Sequence, residues 1–262
     1  MLKTPQETAS ILQSLNLSLF VREYQSLAEK GESAGWSHIQ YLHELATLEQ
    51  EYRQQRRVDR LLQMAKLPHD KHLKDFDVNR IPNLSFSLLE RLRAGHFIDQ
   101  CQNIIAFGNP GTGKTHLSIA LAREWCLMGR KILYQTTATL VQDLLIAKRD
   151  LKLKDMIKKL DKYEVLIIDD LSYIPFDRSE TDVLFTLLSE RYERRSLMVT
   201  SNLPFSGWQQ IFKDEMTTAA AIDRLVHHSV ILELNAPSFR VEQASHQKKS
   251  AESNVVPKEK AA

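Results

Sequence analysis

The eight residues from Gly108 to Thr115 read Gly-Asn-Pro-Gly-Thr-Gly-Lys-Thr, and they follow the apolar run NIIAF at 103–107. They match the pattern G-x-x-x-x-G-K-[ST], a loop whose backbone N–H groups surround phosphate oxygens at the start of a helix. We expect Lys114 to neutralise the β and γ phosphates and the Thr115 hydroxyl to ligate Mg²⁺. The alternative is a glycine-rich turn followed by an unrelated lysine. The predicted nucleotide-binding residues are Gly108, Asn109, Pro110, Gly111, Thr112, Gly113, Lys114, Thr115 and His116.

Around this loop, short apolar runs alternate with longer amphipathic segments. The runs are NIIAF (103–107), KILYQT (131–136), VLIID (165–169), LMVTS (197–201) and VILEL (230–234). Such alternation is typical of β/α units around a largely parallel sheet whose strands are covered on both faces. The sequence therefore predicts an α/β fold in which a parallel sheet flanked by helices carries the phosphate loop.

The composition of the 262 residues narrows the class of protein. Hydrophobic residues make up 43% and charged residues 26%, which argues against wholesale disorder, a collagen-like repeat or a coiled-coil rod. No stretch approaches the ~20 apolar residues of a membrane span, and the N-terminus lacks a secretory signal, so we expect a soluble, cytoplasmic protein. Cys101 and Cys126 form no ligand pattern and are expected to be buried, while His227 and His228, isolated from other metal-type residues, favour a structural or surface role.

Residues before the phosphate loop divide into two parts. Apolar residues at helical spacing predict one helix near 5–29, a turn at 31–35 and a long helix ending near Lys66. Broken periodicity around Pro68 and Pro82 then indicates a connecting arm with short helical pieces. The predicted regions are a small all-α domain at 1–66, the arm at 67–101, the α/β core at 102–245 and a disordered tail at 246–262.

Polar residues end two of the predicted strands. Asp169 and Asp170 follow the apolar residues VLII, at the carboxyl end of a strand, where open α/β sheets bind ligands. We expect Asp169 to hold Mg²⁺ and Asp170 to orient an attacking water, although Asp170 has the alternative role of capping the next loop. Asn202 ends the following run and would lie beside the same site, unless it serves only as a turn former.

The phosphate loop at Gly108, the acidic strand at Asp169 and the polar strand end at Asn202 together resemble an AAA+ ATPase core. A more specific resemblance is to the IstB family, the ATP-binding helper proteins of insertion-sequence transposition. It rests on EYRQQRRVDRLLQMAKLPHDKHLKDFDV (51–78), YERRSLMVTSNLPFSGWQQIF (192–212), AAAIDRLVHHSVILEL (219–234) and SFR (238–240). The resemblance covers nearly the whole chain.

This resemblance implies an AAA+ fold that uses ATP and Mg²⁺, hydrolyses ATP, self-assembles as a homo-oligomer on duplex DNA and cooperates with a partner transposase of the IstA type. It implies catalytic roles for Lys114, Asp169, Asp170, Asn202 and Arg224. Arg224 matches the arginine finger that reaches the nucleotide of a neighbouring subunit, and Arg240 would be a second sensor near the nucleotide. The residues alone would make Arg224 a helix-end arginine in a salt bridge. Asp170 replaces the glutamate usual in related ATPases, so slow hydrolysis is expected.

The net charge of +2 gives no case for nucleic-acid binding, but the placement of charge does. Four arginines spaced i, i+3, i+4 and i+7 share one face of the long helix. Between 148 and 162, seven Lys or Arg and three Asp give a local charge of +4, in an insert where the resemblance suggests a DNA-contacting helix. The predicted phosphate contacts are Arg53, Arg56, Arg57, Arg60, Lys148, Arg149, Lys152, Lys158 and Lys159. A solvated charged face is the alternative.

Three other functions share parts of this pattern. A loader of the DnaC type would hand a ring helicase to single-stranded DNA with the same core. A small-molecule kinase would use Lys114 and Asp169 without needing the basic insert or Arg224. A nucleotide-gated binding module would hydrolyse ATP negligibly, as Asp170 in place of glutamate suggests.

Overall fold

The computed structural model describes residues 5–171, 176–212, 215–239, 241 and 242. The chain divides into two compact units, with the boundary between Arg60 and Leu61. In the described residues the α-helices are α1 (Pro5–Ser14), α2 (Ser18–Ala34), α3 (His38–Ala65), α4 (Phe86–Ala94), α5 (His96–Asp99), α6 (Lys114–Leu127), α7 (Thr137–Arg149), α8 (Leu153–Leu160), α9 (Arg178–Arg191), α10 (Gln209–Phe212) and α11 (Glu215–Val226). Short 3₁₀ helices lie at Leu73–Asp75, Val78–Arg80 and Phe205–Gly207.

The first unit is entirely helical, as expected, but it holds two helices where one was predicted over 5–29. The chain turns at Asn16, which has a φ of 57°, and the Leu17 N–H donates to the Leu12 carbonyl to close α1. Because this break uses asparagine in a left-handed conformation, no glycine or proline marks it in the sequence. The long helix α3 begins at His38 and continues across the boundary into the second unit.

The second unit is built on a five-stranded parallel sheet, which confirms the predicted fold class. Its strands are β1 (Asn103–Phe107), β2 (Ile132–Thr136), β3 (Val165–Leu171), β4 (Ser196–Ser201) and β5 (Ser229–Glu233). Their order across the sheet is β2-β3-β4-β1-β5, and every neighbouring pair is parallel. Each strand lies within two residues of a predicted apolar run, so the alternation in the sequence was a reliable signal.

Alternate strand residues point to two apolar layers. One face packs Ile104, Tyr134 and Ile167 against α4, α5 and α6, and the other packs Ile105, Leu166 and Val199 against α7, α9 and α11. This period of two, with both faces covered, explains why the strands read as continuous apolar runs.

Residues 67–101, the predicted connecting arm, contribute to the core of the second unit. Ile81, Leu84 and Phe97 are buried in the same cluster as the sheet, and the Trp125 indole N–H donates to the Leu92 carbonyl at 2.9 Å. The segment contains two 3₁₀ turns and two short helices, so its apolar residues show no single periodicity although they cover one face of the sheet.

The two cysteines differ in environment. Cys126 is fully buried, as expected, and burial raises the pKa of its thiol to about 12. Cys101 is only partly buried, because it occupies the left-handed turn that ends α5. Among the described helices, none is long and apolar enough to cross a membrane.

Candidate nucleotide-binding site

The phosphate loop connects the end of β1 to the start of α6. Its three glycines all have positive φ, 148° at Gly108, 81° at Gly111 and 100° at Gly113. A Cβ at Gly111 would overlap the Ser238 hydroxyl, so the loop requires glycine there for both conformation and space. The Lys114 ammonium donates to the Gly108 carbonyl at 2.7 Å and to the Asn109 carbonyl at 2.9 Å, which holds its charge inside the loop. The loop therefore presents backbone N–H groups and a cation at a helix N-terminus, the arrangement that binds phosphate.

Asp169 is the best-supported side chain of the site. It is 4% exposed, and its carboxylate accepts hydrogen bonds from the hydroxyls of Thr115, Thr200 and Tyr134. The Thr200 bond measures 2.6 Å and the Tyr134 bond 2.7 Å. Burial, together with the bond to Asp169, raises the pKa of Tyr134, so the phenol remains a donor throughout the physiological range. These three hydroxyls fix the orientation of the carboxylate.

The donor set at Thr115 and Asp169 suits Mg²⁺. The Thr115 hydroxyl lies 3.0 Å from Asp169 Oδ2 and 3.1 Å from Oδ1. Two oxygen atoms that can ligate a metal therefore come together from different elements. Mg²⁺ prefers oxygen ligands and is bound in proteins by one or two side chains together with substrate phosphates and water. The residues present therefore fit the ion that the sequence predicts.

Asp170 and Asn202 meet at the same edge of the sheet. Asp170 is exposed and has a φ of 61°, and its backbone N–H donates to the Thr200 hydroxyl at 2.9 Å. The Asn202 amide donates to Asp170 Oδ1 at 3.1 Å. The N-cap of the next described helix is Asp177, which forms a capping box with Glu180. Asp170 thus carries an oriented, solvent-facing carboxylate. Residues 172–175, the start of the loop that it would cap in the alternative role, lie outside the described residues.

A cavity of about 920 Å³ adjoins the loop and these two strand ends. Phe76 stacks edge-on against His116, whose Nε2 lies 3.2 Å from the His72 carbonyl. Across the cavity, the Arg80 guanidinium lies over the Phe239 ring, 5.1 Å from its centroid. The cavity has the size of a ligand pocket, with phosphate-binding groups at one end and apolar and aromatic walls beside them.

Arg224 lies at the opposite edge of the sheet from the phosphate loop. The Asn103 side chain, at the first residue of β1, donates to the Leu225 carbonyl at 3.1 Å, whereas the loop follows the last residue of β1. A strand of this length spans about 13 Å. The Arg224 guanidinium is half-buried, donates to the Ala220 carbonyl and stacks on Phe185 at 4.9 Å. The backbone next to Arg224 is therefore near the amino end of β1, and its guanidinium points back along α11 toward Ala220. Arg240 lies outside the described residues.

His227 and His228 are not isolated, contrary to the expectation from sequence. Both approach the Glu193 carboxylate, at 3.8 and 3.6 Å, and the Tyr192 hydroxyl lies 2.6 Å from His227 Nδ1. All are exposed. The fold brings Glu193, at the turn before β4, next to the turn before β5, and that proximity is invisible in the chain order. The surface role assigned to the histidines stays a prediction.

The four predicted DNA-contacting arginines of the first unit are exposed on α3. Arg53 is engaged within this unit, because its guanidinium donates to Glu49 at 2.7 Å and to the Asn16 carbonyl at 2.8 Å. Arg56 lies over the Tyr52 ring. Arg53 thus has a structural partner, whereas Arg57 and Arg60 project into solvent without a described ion pair.

The basic insert forms α7 and α8. Lys148, Arg149, Lys152, Lys158 and Lys159 are all exposed. Lys148 lies 3.6 Å from Asp182 and Arg149 lies 3.2 Å from Asp150, and such exposed pairs are weak. Beneath α8, the buried Arg191 donates to the Leu160 and Tyr163 carbonyls. Burial lowers the pKa of Arg191 to about 10, so it stays charged at neutral pH and fastens the end of α8 to the core.

Sequence reasoning missed four residues of the site. Tyr134 and Thr200 were assigned only to strands, and Phe76 and Arg80 only to the arm. Thr200 directly precedes Ser201-Asn202, so the polar end of that run was a usable signal. Tyr134 reaches Asp169 from a neighbouring strand, and only the strand pairing brings the two together.

The parallel sheet, the phosphate loop and the buried Asp169 define a P-loop nucleotide-binding domain. The model resembles the crystal structure of the DnaC helicase loader (TM-score 0.52, 18% identity, 65% of this chain and 99% of that chain). It also resembles AMPPCP-bound DnaA from Aquifex aeolicus (TM-score 0.55, 16% identity, 74% of this chain and 58% of that chain). At these identities the likeness shows the fold alone.

The chain belongs to the family of IstB-like ATP binding proteins, whose family model matches residues 10–247. It is 40% identical over 240 residues to an insertion sequence ATP-binding protein of Sinorhizobium fredii, covering 91% of this chain and 80% of the relative. It is 32% identical to the insertion sequence IS21 ATP-binding protein of Pseudomonas aeruginosa, covering 90% of this chain and 89% of the relative. Family membership and the phosphate loop together imply nucleotide binding.

Proposed function

We propose that this chain is an ATPase that assembles on duplex DNA in its ATP-bound state, presents that DNA to a partner transposase and resets by hydrolysis. Membership of the IstB-like family supports the role in transposition, since its relatives are named as insertion sequence ATP-binding proteins. The phosphate loop and the fixed Asp169 support the use of ATP and Mg²⁺.

The observation that carries the proposal is the position of Arg224. The loop, Asp169, Asp170 and Asn202 share the carboxyl edge of the sheet, while Arg224 lies near the amino edge. A second subunit stacked with its amino edge on this carboxyl edge would bring its Arg224 to the nucleotide. Such an arginine stabilises the charge that develops on the transferred phosphoryl group, which would make hydrolysis depend on assembly.

Within one subunit the residues have distinct roles in this proposal. Lys114 and the loop N–H groups bind the β and γ phosphates, and Thr115 and Asp169 hold Mg²⁺, which neutralises phosphate charge when bound. Asp170 orients the attacking water with help from Asn202, whose amide fixes the carboxylate. The cavity walls at Phe76 and Phe239 accommodate the base and ribose.

DNA binding is assigned to the exposed lysine and arginine side chains of α7 and α8, with Arg57 and Arg60 of α3 as further contacts. Such contacts go to backbone phosphates, so binding should weaken steeply with salt and depend little on sequence. A chain with a net charge of only +2 can bind DNA in this way because its excess of basic residues is concentrated in two segments.

The test is nucleotide binding, complex size and ATP turnover of wild type and Lys114→Ala, with and without duplex DNA at two salt concentrations. We expect Lys114→Ala to abolish ATP binding and DNA-dependent assembly together, because both require the γ-phosphate to be held. Retention of both by a folded variant would remove the loop from the mechanism. Preference for single-stranded DNA with capture of a ring helicase would instead indicate a loader, and turnover indifferent to DNA would favour a small-molecule kinase.

A further inference from the structure

Leu151, at the tip between α7 and α8, is 94% exposed. This is the largest exposed fraction of any large apolar side chain that the structure describes. Single exposed apolar residues are common on protein surfaces, so exposure by itself carries no function. The backbone of Leu151 supplies a second, independent observation.

Leu151 has a φ of 57°, in the left-handed region that side chains disfavour. It ends α7 in a Schellman motif, in which its N–H donates to the Lys148 carbonyl and the Lys152 N–H donates to the Ala147 carbonyl. This position is normally glycine, and the same motif after α6 has Gly129 there. Among the described non-glycine residues with positive φ, Leu151 is the only aliphatic one. Glycine would expose no apolar side chain and would adopt this φ without strain. Leucine at position 151 therefore lowers the stability of the fold.

The surroundings of Leu151 match the chemistry of DNA. Arg149, Lys152 and Lys154 lie within three residues of it and are exposed, so the apolar tip is flanked by cations suited to phosphates. The backbone of the tip is fixed by the two hydrogen bonds of the Schellman motif, and α8 after it is anchored by the buried Ile157 and Leu160. An apolar tip whose backbone is held in this way loses less conformational freedom on binding than a flexible loop does.

We propose that Leu151 is an apolar wedge that enters the minor groove and partly unstacks one base step of the duplex held by the neighbouring cations. Leucine is among the side chains that DNA-bending proteins insert in this way. The inference deepens the proposed function and rests on it, since it needs the insert to face duplex DNA. It adds what the lysines do not supply, an apolar side chain that can enter between bases.

The experiment compares full-length wild type, Leu151→Gly, Leu151→Asn and Leu151→Met, with ATP and Mg²⁺, on duplexes carrying 2-aminopurine at successive positions. Wild type and Leu151→Met should raise the 2-aminopurine fluorescence, which reports unstacking. Leu151→Gly and Leu151→Asn should not, and they should bind about tenfold more weakly, the effect of losing one buried leucine. Their slope of log affinity against log salt should equal that of wild type, whereas Lys152→Ala should reduce the slope by about one. The Tm of Leu151→Gly should be unchanged or higher.

Three results would overturn the wedge. The first is Leu151→Gly binding and unstacking DNA as well as wild type does. The second is wild type binding duplex DNA without any rise in fluorescence. The third is Leu151→Gly losing only capture of the transposase or self-association, which would make Leu151 a protein contact. Failure of the proposed function would look different, because wild type itself would then not bind duplex DNA.

Discussion

At the scale of single residues, the site depends on how Asp169 is held. A buried carboxylate needs hydrogen-bond donors, and this one receives three hydroxyls from three separate elements. Thr115 comes from α6, Tyr134 from β2 and Thr200 from β4. The carboxylate is thereby aimed at the phosphate loop. Residues that orient a metal ligand in this way matter nearly as much as the ligand itself.

Tyr134→Phe tests this support. The variant loses the 2.7 Å bond to Asp169 but keeps the ring that packs in the core. We expect the Mg²⁺ concentration that half-saturates ATP binding to rise roughly tenfold. Nucleotide affinity measured without metal should stay close to that of wild type, as followed with a fluorescent ATP analogue.

Tyr163→Phe is the control, since Tyr163 is a partly buried tyrosine whose described hydrogen bonds are made by its backbone. This control should leave the Mg²⁺ dependence unchanged. An equal Mg²⁺ response in Tyr134→Phe and wild type would show that Asp169 does not need the phenol.

At the scale of elements, the five strands followed from the sequence because buried parallel strands are continuous apolar runs. The break between α1 and α2 did not, because it depends on a left-handed asparagine rather than on glycine or proline. Residues 67–101 were also underestimated, since their packing on the sheet is set by tertiary contacts and not by periodicity. The motif residues of the site were predictable because the residues of each motif are adjacent in the sequence. Tyr134 was not, because only the pairing of β2 with β3 brings it to Asp169.

The first unit depends on one buried carboxylate, and Glu49→Gln tests it. Glu49 accepts the Leu19 and Phe20 N–H groups at the start of α2 and pairs with Arg53. Burial alone would raise the pKa of Glu49, but these hydrogen bonds outweigh it and lower the pKa below its ordinary 4.5. A lowered pKa means stability that is present above about pH 4.5 and is lost as the pH falls through the folded-state pKa.

We therefore expect Glu49→Gln to lower the free energy of unfolding at pH 7 by about 1–3 kcal/mol, since an amide keeps one acceptor but loses the charge that binds Arg53. The difference from wild type should begin to shrink as the pH falls below the ordinary pKa of 4.5, and it should be lost once the pH passes the lower pKa at which Glu49 is protonated in the folded state. Denaturant unfolding across pH 3–7 measures both effects. A pH-independent difference would contradict the charged role of Glu49, and Glu51→Gln, on the exposed side of α3, is the control.

At the scale of the whole molecule, function is divided between the two edges of one sheet. The nucleotide groups lie at the carboxyl edge and the backbone next to Arg224 lies near the amino edge, so in the proposed assembly a single subunit would contribute to two different sites. Charge is also unevenly distributed. The net charge is only +2 because acidic residues elsewhere in the chain offset the basic segments of α3 and of α7 and α8. In the proposed assembly on DNA, Arg224 would reach the nucleotide of a neighbouring subunit, and the basic segments would contact DNA phosphates.

The most direct test of this account mixes two inactive variants on duplex DNA and measures ATP turnover. Lys114→Ala keeps Arg224 but lacks the loop cation, and Arg224→Ala keeps the loop but lacks the finger. Each alone should bind DNA poorly or hydrolyse ATP at least about a hundredfold more slowly than wild type, the scale of losing a transition-state cation. Arg224→Ala should still bind ATP. In the mixture, an Arg224→Ala subunit that has bound ATP should recruit a Lys114→Ala subunit, which cannot assemble on its own. Part of the wild-type turnover should then return, because intact Lys114 and intact Arg224 meet at that interface. No recovery between folded variants that co-assemble, or full turnover by Arg224→Ala alone, would contradict a site completed by the neighbouring subunit.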